Sequence, residues 1–306
     1  MPEPGTDEAE KPLGAVVLLY RSWPGVCATI DALLRQSRPP ASVLVVDNGS
    51  EESELSELEA AYPGIELVRA GSNRGYSAGM NLGIVRMQQS GFRQFLLLTH
   101  DCVLDPECLN RLRSRMDDNP RLGAVGPLLR RRDDPGVVWS AGGGIGTGNG
   151  HPHHLGSGEP VEQWRERPAH PVEWLDGACL LLNAEAVSQA GLLDERFFLY
   201  FEDAEYACRL KCAGWEVECV PAAVAAQEPS ELPEYLTVRN RLGFMRSCAP
   251  RSLLWAELRR IGLNLARDSL RPPSAAQRDT LAERARGLFD FLRNRWGPPP
   301  AGRRRG

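Results

Sequence analysis

The sequence predicts an α/β protein built on a mostly parallel central sheet flanked by helices, and three observations carry that prediction. Short apolar runs at Gly14 to Tyr20, Ser42 to Val46, Phe95 to Leu98 and Leu122 to Leu129 show the unbroken hydrophobicity of strands buried on both faces. Helical patterns lie between them, the alternation that winds a chain into a parallel sheet. Two of the runs end abruptly in polar residues, Asp47-Asn48-Gly49-Ser50 and Thr99-His100-Asp101. In open α/β sheets ligands gather at the carboxyl ends of strands, so these two ends are candidate binding positions.

In chain order, residues 1–12 are acidic and proline-bearing and are read as disordered, without the pattern of a signal or transit peptide. The first strand leads through Ser22-Trp23-Pro24 into a helix marked by Ile30, Leu33 and Leu34. After the second strand, an acidic helix (Glu51 to Tyr62) and a short strand (Ile65 to Arg69) add another β-α-β step. Gly71 to Gly79, GSNRGYSAG, is a glycine-rich loop opening a helix through Asn81, Leu82, Val85 and Met87. Its glycines would let the backbone approach a ligand and its helix start would offer N–H groups to anions, while a Ser77 N-cap accounts for the same residues structurally. No GxGxxG occurs, which removes the main support for a nicotinamide-binding enzyme. Asp101, leaving the central strand beside His100, suits a hard cation bridging a diphosphate, or simply starts the turn towards Asp105-Pro106.

A helix over Pro106 to Asp118 and the strand Leu122 to Leu129 are followed, between Arg130 and Pro171, by a Gly-, Pro-, Arg- and His-rich stretch without periodicity. Such a stretch is expected to be a mobile binding loop or an insertion, and His151, His153 and His154 within it lack metal-ligand spacing. Two strand-like runs then flank Asp176-Gly177, a turn pair expected to present Trp174 and Asp176 at a pocket rim; a core tryptophan is the plainer reading of Trp174. Phe197, Phe198, Tyr200 and Phe201 form an aromatic wall directly before Glu202-Asp203. Asp203 can cap the helix Ala204 to Ala213, or act as a base whose pKa is raised by burial. Short strands at Trp215 to Val220 and Ala222 to Ala226, a helix from Glu231 to Arg246, and amphipathic helices over Arg251 to Leu270 and Ser274 to Trp296 complete the pattern. The expected organisation is one catalytic domain over 13–246, with halves 13–130 and 131–246, a helical extension over 247–297 and a disordered tail over 298–306.

With 42% hydrophobic and 25% charged residues in 306, the composition is that of a soluble globular protein. No apolar run approaches the roughly 18 residues a bilayer span requires. Eight cysteines without a CxxC pair are read as reduced, buried hydrophobes of a cytoplasmic protein, and Cys208, Cys212 and Cys219 lack the spacing of a metal site. The net charge of −4 conceals a split: from Arg251 onward thirteen arginines face five acids, a net of +8 that leaves −12 for the rest. That split marks contact with an anionic surface or a phosphorylated acceptor, or no more than a solvated helical face, and the amphipathic helices over 251–296 are expected to pack on the catalytic lobe or a second subunit, with peripheral membrane docking as the other option. Nothing calls for a nucleic-acid partner.

Five motifs in order, LLYRSW, VVDNGS, NRGYSAGMNLG, LLLTHDCVLDP and DERFFLYFEDAEYACRLKCAGW, together with the helix YLTVRNRLGF, resemble the inverting family 2 glycosyltransferases of GT-A fold, particularly their bacterial rhamnosyltransferase-like branch. The resemblance covers Gly14 to about Arg246. It implies that Tyr20 and Asp47 hold the base and ribose of a nucleotide-diphosphate sugar with Asn48 and Ser50 nearby, and that Asn73, Gly75 and Asn81 line the donor site. Asp101 corresponds to the last acid of the DxD-type motif, a ligand for Mg²⁺ or Mn²⁺. Asp203 corresponds to the catalytic base, supported by Glu202, and Trp174, Asp176 and Gly177 match the acceptor-side loop. Two departures stand out. Thr99 and His100 replace the motif's other carboxylates, which makes His100 a candidate substitute ligand, and Gln227 stands where a metal-binding His is frequent. They motivate a competing reading as a non-catalytic sugar-nucleotide or glycan-binding homologue. A nucleotidyltransferase is a second competitor, but Tyr20 to Pro24 lacks the glycine-rich basic loop it needs.

Overall fold

In the computed structural model, which describes residues 12–228, 232–269 and 275–299, the apolar runs are strands and the periodic segments between them helices. The amino-terminal part runs β1 (Leu13–Leu19), α1 (Val26–Leu34), β2 (Ser42–Asp47), α2 (Glu52–Ala61), β3 (Glu66–Arg69), α3 (Tyr76–Gln89) and β4 (Gln94–Thr99). Next come β5 (Val103–Leu104), α4 (Cys108–Asp118), β6 (Leu122–Arg131), β7 (Val138–Ser140), β8 (Gly143–Ile145), β9 (Pro152–His154), α5 (Val161–Arg165) and β10 (His170–Pro171). β11 (Cys179–Asn183), α6 (Ala184–Ala190), α7 (Glu202–Cys212), β12 (Glu216–Gln227), α8 (Glu234–Cys248), α9 (Arg251–Ser269) and α10 (Ala275–Leu292) complete the chain.

Among the described residues one ten-stranded sheet places β10-β12-β6-β11-β4-β1-β2-β3 side by side, with β5 on β12 and β7 on β6. β3, β2, β1 and β4 are mutually parallel, as their continuous hydrophobicity requires. β1 shows why both faces must be covered: Val16 and Leu18 enter one core with Tyr76, Met80 and Ile84 of α3, while Ala15, Val17 and Leu19 enter the other with Ile30 and Leu33 of α1. β11 breaks the parallel order, running antiparallel to both β4 and β6.

Three expectations change. The segment 130–171 is not a loose loop: β7 joins the main sheet, β8 and β9 form a hairpin, and Val161 and Trp164 of α5 are buried in the core. The anticipated pair of strands at 215–226 is one strand, β12, whose register against β6 shifts between Val220 and Val224, around Pro221. Asp176-Gly177 is not a hairpin turn, because the residues before it contribute only an isolated bridge from Trp174 to Gly143. The expected disordered segments fall almost wholly on residues 1–11 and 300–306, which, like Glu231, Leu270 and Ser274, lie outside the described residues. α8, α9 and α10 share a small core of Val238, Leu242, Ile261 and Phe291.

Candidate active site

Parallel register brings the ends of β1, β2 and β4 to one edge, with Leu19 beside Asp47 and Leu18 beside Thr99. Tyr20 emerges there at 39% exposure, next to the buried Asp47 and Asn48. Asp47 Oδ1 accepts from the backbone N–H groups of Gly49 (3.2 Å) and Ser50 (2.8 Å), which fixes the turn leaving β2. The Ser50 hydroxyl is buried without a partner among the described residues. Asn48 ties this edge to the glycine-rich loop: its Nδ2 donates to Asn73 Oδ1 and to the Gly75 carbonyl, and its Oδ1 accepts from the Arg74 N–H at 2.9 Å. Asn73 Oδ1 accepts in turn from the Gly75 N–H.

Gly75, at φ +86, leads into α3, and a Cβ there would collide with the Phe198 carbonyl. Ser77, considered as the N-cap of that helix, lies inside it and is buried, its hydroxyl unpartnered among the described residues. Asn81, a turn further on, directs its carboxamide to Leu193 N–H and C=O and to Glu195, binding α3 to the segment that precedes α7.

The same edge holds both candidate reacting acids. The Thr99 N–H donates to the Ala178 carbonyl, and the neighbouring Gly177 N–H donates to Asp203 Oδ2 at 3.1 Å. Asp101, two residues past Thr99, and Asp203 are therefore joined through one short stretch of backbone. The Asp203 carboxylate also accepts from the Ala204 N–H at 2.8 Å. Burial raises the Asp203 pKa to about 7 and the Asp176 charge adds to the effect, against the two backbone donors. Burial, then the Asp203 charge, pushes Glu202 well up, and its Oε2 has no partner among the described residues.

The turn that delivers these acids is strained. Tyr200 and Phe201 both sit at φ +71, unusual for bulky residues, and Asn240 of α8 donates to the carbonyls of Leu199 (2.8 Å) and Tyr200 (3.0 Å) to hold it.

Asp176 is gripped by the Ala178 N–H (2.9 Å) and by Trp139 Nε1 (3.1 Å), with His154 Nδ1 at 3.9 Å. His154 lies between Trp139 and Trp174, with ring centroids at 4.8 and 4.9 Å. Trp174 itself is buried, its Nε1 donating to the Gly144 carbonyl, so it supports the site from beneath instead of standing at a rim. Tyr76 adds a 2.6 Å bond from its hydroxyl to the Gly177 carbonyl. Trp139, His154, Tyr76 and Asn240 are contributions the sequence reading missed. Trp139 and His154 come from a segment without periodicity, and the only signal for Asn240 was its place in the RN pair.

For a divalent cation, the oxygens of Asp101 and Gln227 are the donors at this edge, with His100 adjacent to Asp101 in the chain. Among the described residues no hydrogen bond or ion pair engages the Asp101 carboxylate, and Gln227 Oε1 is buried without a partner on β12, one residue past the Ala226–Val103 pairing that follows Asp101. Among the described residues no three His, Cys, Asp or Glu side chains cluster closely enough to enclose an ion. A carboxylate with an amide oxygen fits a hard cation that takes its other ligands from a diphosphate and water.

The sequence model described as Glycosyl transferase family 2 matches residues 15–163. N-acetylglucosaminyl-diphospho-decaprenol L-rhamnosyltransferase of Mycobacterium tuberculosis is 30% identical over 229 residues, covering 69% of this chain and 74% of that protein. The fold is similar to mannosyltransferase PcManGT from Pyrobaculum calidifontis in complex with GDP-Man and Mn²⁺, at TM-score 0.57 and 14% identity over 92% of this chain and 87% of that one. It is also similar to GalNAc-T7 with UDP, GalNAc and Mn²⁺, at TM-score 0.61 and 12% identity over 78% of this chain; the chain spans about half (48%) of that structure. On the shared motifs, the shared sheet and this likeness in sequence, the chain belongs to glycosyl transferase family 2, on its rhamnosyltransferase-like side, and is a glycosyltransferase of GT-A fold.

Proposed function

We propose that the chain moves a sugar from a nucleoside-diphosphate donor to an acceptor hydroxyl with inversion at the anomeric carbon, Asp203 acting as general base. The observation that carries this reading is the Asp203 carboxylate itself: buried, oriented by two backbone N–H groups, and poised near neutral pH beside the strand end that bears Asp101. Asp203 takes the acceptor's hydroxyl proton as that oxygen bonds to the anomeric carbon. The bond from that carbon to the diphosphate breaks, and the nucleoside diphosphate leaves with the electron pair. A single displacement inverts the centre.

Tyr20, Asp47, Asn48 and Ser50 are the proposed nucleoside side, with Asn73 and Gly75 bordering the donor and Asn81 positioning the loop they belong to. Asp101, with Gln227 and His100 as neighbouring donors, would hold Mg²⁺ or Mn²⁺, which when bound supplies positive charge for the departing diphosphate. Asp176 and Gly177 form the acceptor side, with Trp174 beneath them and Glu202 behind the base. The name of the mycobacterial relative, with its decaprenol-diphosphate acceptor, supports a lipid-linked acceptor here.

Asp203→Asn retains an oxygen for one backbone donor but cannot take the proton. Transfer is expected to fall about 10²- to 10⁴-fold, with donor affinity in calorimetry unchanged. Transfer at near wild-type rate by this variant would remove Asp203 from the role.

A further inference from the structure

α9 packs on α8 and α10 through Ile261, Leu258 and Leu265, and its two acids lie off the outer face: Glu257 is buried and paired with Arg241 and Arg260, and Asp268 is paired with Arg267. The face left in solvent carries Arg251, Trp255, Arg259, Leu263 and Arg267 at four-residue spacing, separated by Ser252, Ala256, Gly262 and Ala266. Trp255 is 70% exposed and Leu263 60%. Neither Arg251 nor Arg259 has an acidic partner among the described residues. A large aromatic and a leucine held in water between unpaired arginines form a surface without an occupant.

We propose that this outer face of α9 docks on an anionic lipid bilayer, Trp255 and Leu263 entering the interfacial region and Arg251 and Arg259 meeting lipid phosphates. Charge decides between occupants. A second copy meeting this face with its own would set arginine against arginine, and the chain's carboxyl-terminal GRRRG is itself cationic. The helix also touches the acceptor side. His151 Nε2 lies 3.4 Å from Glu257, Gly150 abuts Leu253, and the hairpin strand starting one residue after His151 ends at His154, beside Asp176. Docking through α9 would therefore bring the acceptor side of the enzyme to the bilayer, where a lipid-linked substrate resides. That last consequence rests on the proposed function; the docking itself does not.

The test uses the full chain, without donor or acceptor, in co-sedimentation with vesicles of phosphatidylcholine alone or of phosphatidylcholine with phosphatidylglycerol. Wild type should pellet with the phosphatidylglycerol vesicles at low salt and be released at high salt. Arg251→Gln and Arg259→Gln should each lower partitioning roughly five-fold, and Trp255→Ser with Leu263→Ser should abolish it while thermal melting shows the fold intact. Wild type remaining in the supernatant with both vesicles, or variants that bind as well as wild type, would overturn the proposal. So would a wild-type dimer in size exclusion that Trp255→Ser converts to a monomer, since the face would then serve protein association. A vesicle result against docking leaves the transferase reading untouched, because no turnover is measured.

Discussion

Asp203 acquires its basicity from position: it is shut away from water and feels the Asp176 charge. With its pKa raised to about 7, activity should fall on the acid side of neutrality as the carboxylate is lost. Asp176→Asn removes the like charge while keeping an oxygen for Trp139. The acid limb of the kcat/KM profile should therefore move to lower pH, whereas a purely structural role for Asp176 would depress the rate at every pH and leave the limb in place. At the donor end, Asp101→Ala should weaken nucleoside-diphosphate binding in the presence of Mn²⁺ and abolish the difference that EDTA makes to wild type, measured by calorimetry. Asp47, Asp101 and Asp203 could be picked out of the sequence because each interrupts an apolar or aromatic run at an element boundary. Trp139 and His154 could not, since they reach Asp176 from 37 and 22 positions away.

Between elements, the decisive contact is α8 against the entry to α7. Asn240 satisfies two carbonyls of a turn that bulky residues adopt only under constraint, and Asn240→Ala takes this donor away from both part-buried groups. A loss of about 2 to 4 kcal/mol in urea unfolding is expected, with a fall in kcat because the base moves with its turn. Gly75→Ala should also destabilise: the residue requires a left-handed backbone, and its missing side chain admits Phe198. The alternation of strands and helices was readable from hydrophobic runs up to β6. Beyond it, Pro221 imitated a strand break that the sheet absorbs as a register shift, and glycine density between 141 and 158 imitated a mobile loop although Trp164 and Trp174 pin that region to the core. Local composition reports chain stiffness; it does not report the tertiary surface that a turn-rich segment finds.

For the molecule as a whole, the buried acids carry a stability cost with a definite sign. Between pH about 4 and 7 folded Asp203 retains a proton that the unfolded chain, with its ordinary value of 3.8, has already released, so stability declines as pH rises through that window. Glu202 acts in the same direction. Asp203→Asn should accordingly melt higher than wild type at pH 8, and the gap should shrink towards pH 4 in calorimetric scans. The reversal of β11 between β4 and β6 has a different consequence. Because β11 begins where β4 finishes, the peptide ahead of β11 is a separate connection from the turns that leave β1 and β2, and its exposed positions can change without disturbing those parallel strands. On the proposed function, choice of recipient and choice of sugar donor would thus diverge independently in evolution, and substitutions at the exposed Glu173, which leave the buried Trp174 and the Gly177 contact to Asp203 in place, should alter which alcohol is glycosylated while the nucleotide preference persists.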